Sequence, residues 1–153
     1  LLVTQTFSKS RSMAGARLGF AFASKELIAD LELIRNSTNP YNINRLTQIA
    51  GTAAIMQDEY YMDACKEIER VRSITENELK ALGFEVLPSK ANFLFAKHNC
   101  IDGGELYLKL KEKGVLVRHF TNERICQYNR ITIGTEEQMK AFIDTVKIIL
   151  EEK

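Results

Sequence analysis

Thr6-Phe7-Ser8-Lys9-Ser10-Arg11-Ser12-Met13-Ala14-Gly15-Ala16-Arg17-Leu18-Gly19-Phe20 is the stretch that decides how this chain is read. It sets one lysine among hydroxyls, with an arginine eight positions later and a glycine on either side of that arginine. A neutral lysine amine condenses with carbonyls to form a Schiff base. Hydroxyls and a guanidinium fork make a seat for a phosphate dianion. A phosphate-bearing aldehyde suits both halves, and pyridoxal 5'-phosphate (PLP) is the molecule of that description. The competing reading is a surface lysine at a helix start with Ser8 as its N-cap. The two are compatible in part, because a helix start also favours an anion.

Working outward, Leu1 to Thr6 reads as a buried strand and Leu18 to Ala23 as a returning strand, which puts Lys9 at a sheet edge. Gly15 and Gly19 would let the backbone pass close to a ligand or a neighbouring strand. Ser24 caps a helix over 25–36 with Leu27, Ile28, Leu31 and Ile34 on one face. Pro40 disfavours helix at Asn39, and the turn-rich 36–44 segment marks the expected end of one domain. Helices are expected over 45–57, rich in small residues, and over 58–82, stopped by Gly83. In the second, Tyr61, Cys65, Ile68, Val71 and Ile74 recur at helical spacing. Strands follow at 84–87, 92–97, 115–118 and 129–133, with a helix at 104–113 ended by Gly114. Thr135 to Gln138 reads as a capping box opening a last helix with Met139, Phe142, Ile143, Val146 and Leu150 buried. The class is α/β: residues 1–44 as the end of a larger sheet domain, and 45–153 as a small α/β domain with a few-stranded, mostly antiparallel sheet.

Of the 153 residues 45% are hydrophobic, enough for a real core, and the net charge is +1. That balance gives no basic face for nucleic acid or an acidic membrane. Cys65, Cys100 and Cys126 have no short spacing, which argues against a disulfide framework or a zinc site and for a reducing, cytoplasmic setting. They read as packing residues. No run approaches the ~20 apolar residues of a bilayer span. His98 and His119 lack metal-site spacing and read as partly exposed, Arg11 as solvent-exposed, and the acidic face of 58–78 as solvated. The chain opens in an apolar run without methionine and is taken as the C-terminal portion of something longer.

The pattern Thr-x-Ser-Lys-x(4)-Ala-Gly-x-Arg-x-Gly-Phe resembles the PLP-lysine motif of the fold-type I aminotransferases, nearest to the histidinol-phosphate aminotransferases. The likeness continues through Asn39-Pro40-Tyr41-Asn42-Ile43-Asn44, Ala91-Asn92-Phe93, Gly114-Val115-Leu116-Val117-Arg118 and Arg130-Ile131-Thr132-Ile133-Gly134-Thr135. The first and last motifs are specific; the middle ones are supportive.

The resemblance implies an amino transfer between L-histidinol phosphate and 2-oxoglutarate in histidine biosynthesis, by a homodimer. It implies Lys9 as the catalytic lysine carrying PLP as a Schiff base, with Thr6, Ser8 and Arg17 as the other cofactor ligands. Arg130 would grip the anionic end of the substrate, with Arg118 and Asn44 assisting. Tyr41, Asn42 and Asn92 lie in segments the family places near the cofactor. Two alternatives stay open. One is a related PLP enzyme, a threonine-phosphate decarboxylase or an aromatic aminotransferase. The other is a non-catalytic domain, since the groups that face the pyridine ring are expected upstream.

Overall fold

A computed structural model describes residues 1–152. The chain falls into two compact units, Leu1–Cys65 and the residues from Lys66 on.

The first unit opens with a two-stranded antiparallel ribbon, β1 (Val3–Thr6) and β2 (Gly19–Phe22), paired from Val3↔Phe22 to Thr6↔Gly19. Gly19 allows this pairing: a Cβ there would lie 3.0 Å from the Gln5 carbonyl oxygen. Gly15 faces open space. Helices α1 (Lys25–Thr38) and α2 (Arg45–Met56) follow, and α3 (Asp58–Ala81) supplies its first turns to this unit. Ser24 and Asn44 cap α1 and α2 by accepting the amides of Leu27 and Thr47.

The anchor of this unit is Phe7, only 4% exposed. Its ring meets Phe20 edge-on at 5.8 Å. Phe7 and Leu18 lie against Gly51 of α2, where a Cβ would sit 2.3 Å from Leu18 Cδ2 and 3.8 Å from Phe7 Cε1. α2 packs on the hairpin in this way, and the compact unit continues to Cys65.

Two expectations fail here. β1 is exposed along its length rather than buried, and α1 buries none of its residues, with Leu27, Leu31 and Ile34 all in solvent. An apolar stripe is buried only where another element covers it, and none does so among the described residues.

The second unit is a four-stranded antiparallel sheet in the order β3 (Phe84–Leu87), β4 (Phe93–His98), β6 (Asn129–Thr132) and β5 (Arg118–His119). Its helices are the rest of α3, α4 (Gly103–Glu112) and α5 (Glu136–Glu151). Leu94, Ala96 and Ile131 on one sheet face meet Val71 and Leu79 of α3, Leu106 and Leu110 of α4, and Met139, Phe142, Ile143, Val146 and Ile149 of α5. Ile149 takes the buried place expected of Leu150, which is only partly buried, and Ile74 is exposed.

The capping box at Thr135 and Gln138 is present. The strand expected over 115–118 shrinks to Arg118–His119. The Gly114 amide donates to Lys111 O (3.0 Å) and the Val115 amide to Leu110 O (2.9 Å), closing α4 as a Schellman motif with Gly114 at φ 82°. Val115 therefore completes the helix end and does not enter the sheet.

At the start of α4, Asp102 Oδ1 accepts the amides of Gly104 (2.9 Å) and Glu105 (3.1 Å), and Oδ2 accepts from Gln127 Nε2 (2.8 Å). These bonds, the Gln127 bond first, hold its carboxyl below the usual value of 3.8. A group with a depressed folded pKa stabilises above its unfolded value and loses that effect as pH falls through the folded one. Asp102→Ala should cost about 1 kcal/mol at neutral pH. That deficit should shrink on acidification below pH 3.8. Urea titrations across pH would read it, and a deficit constant down to strong acid would count against the cap.

Candidate functional site

The Lys9 turn hangs from the closed end of the ribbon. The Phe7 amide donates to Leu18 O (3.0 Å) and Phe7 O accepts from Met13 N (3.0 Å), so both backbone groups of the buried anchor are used. Within the turn Lys9 O accepts from Ser12 N (3.0 Å), and Met13 O from Ala16 N (3.1 Å). Two non-glycine residues, Ser12 and Arg17, are left-handed at φ 54°. Such backbone costs of order 1 kcal/mol each and clusters where ligands are held.

On this frame Lys9 is exposed, and its side chain forms no hydrogen bond or ion pair among the described residues. Ser8 is half-buried, and its amide donates to Thr6 Oγ1 (3.3 Å), leaving the Thr6 hydroxyl hydrogen free to turn outward. Arg17 caps the short 3₁₀ turn Ala14–Ala16, donating from Nη1 to Ala14 O (3.1 Å). An unpaired amine, two hydroxyls and a guanidinium with further donors thus belong to one turn, and that donor set fits PLP. An apolar groove of about 450 Å³ lies in the same unit, lined by Phe7, Leu18, Phe20, Gly51 and Ile55. None of Thr6, Ser8, Lys9 or Arg17 lines it.

Arg11 departs from expectation. Its side chain is 14% exposed and paired with Asp58. It also donates to Ala54 O (3.4 Å) and lies 5.4 Å from the Tyr61 ring centroid. Nothing in its local sequence signals this, because every partner lies more than forty residues away.

In the second unit Arg118 and Arg130 are cross-strand partners in the register of β5 and β6, so both project from the same face. Their guanidiniums lie over Phe120 (5.5 Å) and Phe93 (5.4 Å). Neither forms an ion pair among the described residues. The acid nearest in the sheet pattern, Glu85, is already held by Lys97 (2.9 Å) and the Tyr128 hydroxyl (2.7 Å). The Tyr128 bond and then Lys97 keep the Glu85 carboxyl low, and Glu85 pushes the Tyr128 phenol up. Like charges directly opposite each other destabilise a sheet, and an anion between them reverses the sign.

A residue missed in the sequence supports this face. Arg72 is buried on α3 and donates from Nη1 to Ala91 O (2.7 Å). Asn92 O accepts from Ile133 N (3.0 Å), and Phe93 follows beneath Arg130. Arginine at a core-facing helical position was the available signal.

The remaining candidates have structural duties. The Asn44 side-chain oxygen caps α2, leaving its amide hydrogens outward; Tyr41 and Asn42 are exposed. His98 Nδ1 accepts from the amides of Cys100 and Ile101, so Nε2 carries the hydrogen given to Leu82 O. His119 is half-buried and bonds Asn129 Oδ1 (3.2 Å). Among the described residues no group of His, Cys, Asp or Glu could hold a metal. Cys65 and Cys126 are partly buried, but Cys100 is exposed and does not pack as expected. No helix among the described residues is long and apolar enough to cross a membrane.

The family model "Aminotransferase class I and II" matches residues 1–146. A histidinol-phosphate aminotransferase of Brachyspira hyodysenteriae is 50% identical over 151 residues, covering 99% of this chain and 43% of that protein. The solved histidinol-phosphate aminotransferase of Clostridium acetobutylicum superposes with TM-score 0.87 at 25% identity, over 100% of this chain and 46% of the other. The L-threonine-O-3-phosphate decarboxylase of Porphyromonas gingivalis gives TM-score 0.75 at 25% identity, over 99% and 47%. The chain thus spans less than half the length of the relatives it matches.

Inorganic phosphate should raise the thermal midpoint above that in chloride at matched ionic strength, by about 2–4 °C for each kcal/mol of binding. Arg118→Ala and Arg130→Ala should each reduce the rise. An undiminished rise in both variants would remove the pair as the anion seat.

Proposed function

This chain belongs to the class I and II aminotransferase family, and from that premise we propose that it serves a PLP-dependent amino transfer between L-histidinol phosphate and 2-oxoglutarate, in histidine biosynthesis. The observation that carries the reading is the unpaired Lys9 amine on a turn that also bears Thr6, Ser8 and Arg17. The names of the relatives support the substrate. We further propose that the active enzyme is a cytoplasmic homodimer, and that residues 1–44 close a larger cofactor-binding domain while 45–153 form the small one.

When bound, PLP supplies an aldehyde for an amine and an electron sink for the substrate α-carbon. The chain's own residues do the rest. Thr6 and Ser8 donate hydroxyl hydrogens to phosphate oxygens, and Arg17 adds the charge-matched fork. Lys9 holds the cofactor at rest. With substrate bound, Lys9 Nζ would be the group that takes the proton from the substrate α-carbon and later gives it up again, acting first as base and then as acid. Arg130, with Arg118, orients the anionic end of the substrate by bidentate bonds from a rigid strand, and the Asn44 amide assists.

A second reading is favoured by the likeness to the threonine-phosphate decarboxylase, which would retain Lys9, Ser8, Arg17 and Arg130. Its substrate also carries a phosphate, so the arginine pair does not separate the two.

Assay of the intact protein with L-histidinol phosphate, O-phospho-L-threonine and phenylalanine decides between them. Turnover of the first with 2-oxoglutarate is expected, and carbon dioxide release from the second would replace the proposal. Lys9→Ala should lower the rate by about 10²–10⁴-fold or more, and borohydride should fix PLP onto Lys9 in the native protein. Residues 1–153 alone should bind PLP weakly and give no measurable turnover; robust catalysis by them would mean that the missing groups are dispensable.

A further inference from the structure

We propose that Arg11 is a positioning residue for Lys9: its guanidinium ties the lysine turn to the junction of α2 and α3 and so fixes where the amine is presented. The proposal rests on the reading of Lys9 as the cofactor lysine.

Arg11 sits inside the turn closed by the Ser12 amide on Lys9 O, two residues after Lys9 and just before left-handed Ser12. Fixing its side chain therefore restrains the backbone that carries Lys9. The three contacts are of different kinds and converge from one side. Ala54 O is among the last carbonyls of α2, which have no partner within their own helix; Gln57 N takes Ala53 O, and Arg11 Nη1 takes Ala54 O. Asp58, the first residue of α3, accepts from Nη2, where a negative charge also suits the helix dipole. Tyr61, on the same face of α3, offers its ring to the cation.

An exposed ion pair would contribute little. Here the arginine is largely covered even though Asp58 is not. Only the planar fork can meet a carbonyl, a carboxylate and a ring face together, so a lysine cannot replace it. Among the described residues, no contact of Arg11 leads toward Thr6, Ser8 or Arg17. Its role is in placing the amine, not in binding the cofactor.

The test uses the intact protein and PLP itself, at temperatures where circular dichroism reports each variant folded. Arg11→Ala and Arg11→Lys should slow borohydride-trappable capture of PLP on Lys9 and raise the PLP dissociation constant, by about ten- to a hundredfold. Asp58→Asn should move both in the same direction by less. A folded Arg11→Ala protein with a lower thermal midpoint but native capture rate and PLP affinity would make Arg11 merely structural and overturn the proposal, leaving the function of Lys9 untouched. If Arg11→Ala does not fold, Asp58→Asn and Tyr61→Leu decide, and native capture in both overturns it equally. Capture at a residue other than Lys9 in the native protein would remove the functional reading and this proposal with it.

Discussion

The missing side chain at Gly51 is the constraint on which the first unit depends. It lets Leu18 and Phe7 press against the backbone of α2, and Phe7 is the residue from which the Lys9 turn hangs through both its backbone groups. A turn of this length has many conformations open to it, and ordering each residue costs about 1–2 kcal/mol. Burial of Phe7, the Phe7–Phe20 ring contact and the Arg11 anchors restrain its two ends and its middle. Among the described residues the Lys9 amine is left without a partner, as the proposed Schiff-base chemistry requires.

The second unit follows a different logic. Its sheet is packed on one face only, and the inward residues of β4 and β6 are apolar except His98 and Asn129. That asparagine is satisfied on both sides, donating to Gly103 O (2.8 Å) and accepting from His119. The outward face carries the charge. Glu85 and Lys97 neutralise each other there beside the Tyr128 hydroxyl, while Arg118 and Arg130 lie over phenyl rings and have no acid among the described residues. A buried core thus supports a face on which two adjacent guanidiniums stand opposite each other.

The candidate residues were legible where chemistry and spacing coincide locally. Lys9 with Ser8 and Arg17 stands out because amine, hydroxyl and guanidinium lie within one turn, and Arg130 because it opens a β-prone run. The capping box at Thr135 and the stop at Gly114 are equally local. Arg11 was not legible, and Arg72 only as an arginine at a core-facing helical position: their partners Asp58 and Ala91 are chosen by the fold. Asn44 was legible as a turn residue, while its use as a cap follows from where α2 begins.

By itself the sequence determined the order and kind of nearly every element, the α/β class and the set of groups available for chemistry, because periodicity, caps and turn residues act over a few positions. The tertiary structure alone decided which apolar stripes are covered, leaving α1 and β1 exposed while the strand before Arg118 yields to the end of α4. It also decided that Arg118 and Arg130 stand opposite each other and that Arg11 is anchored. Burial and pairing are properties of two surfaces meeting, and a linear pattern specifies only one of them.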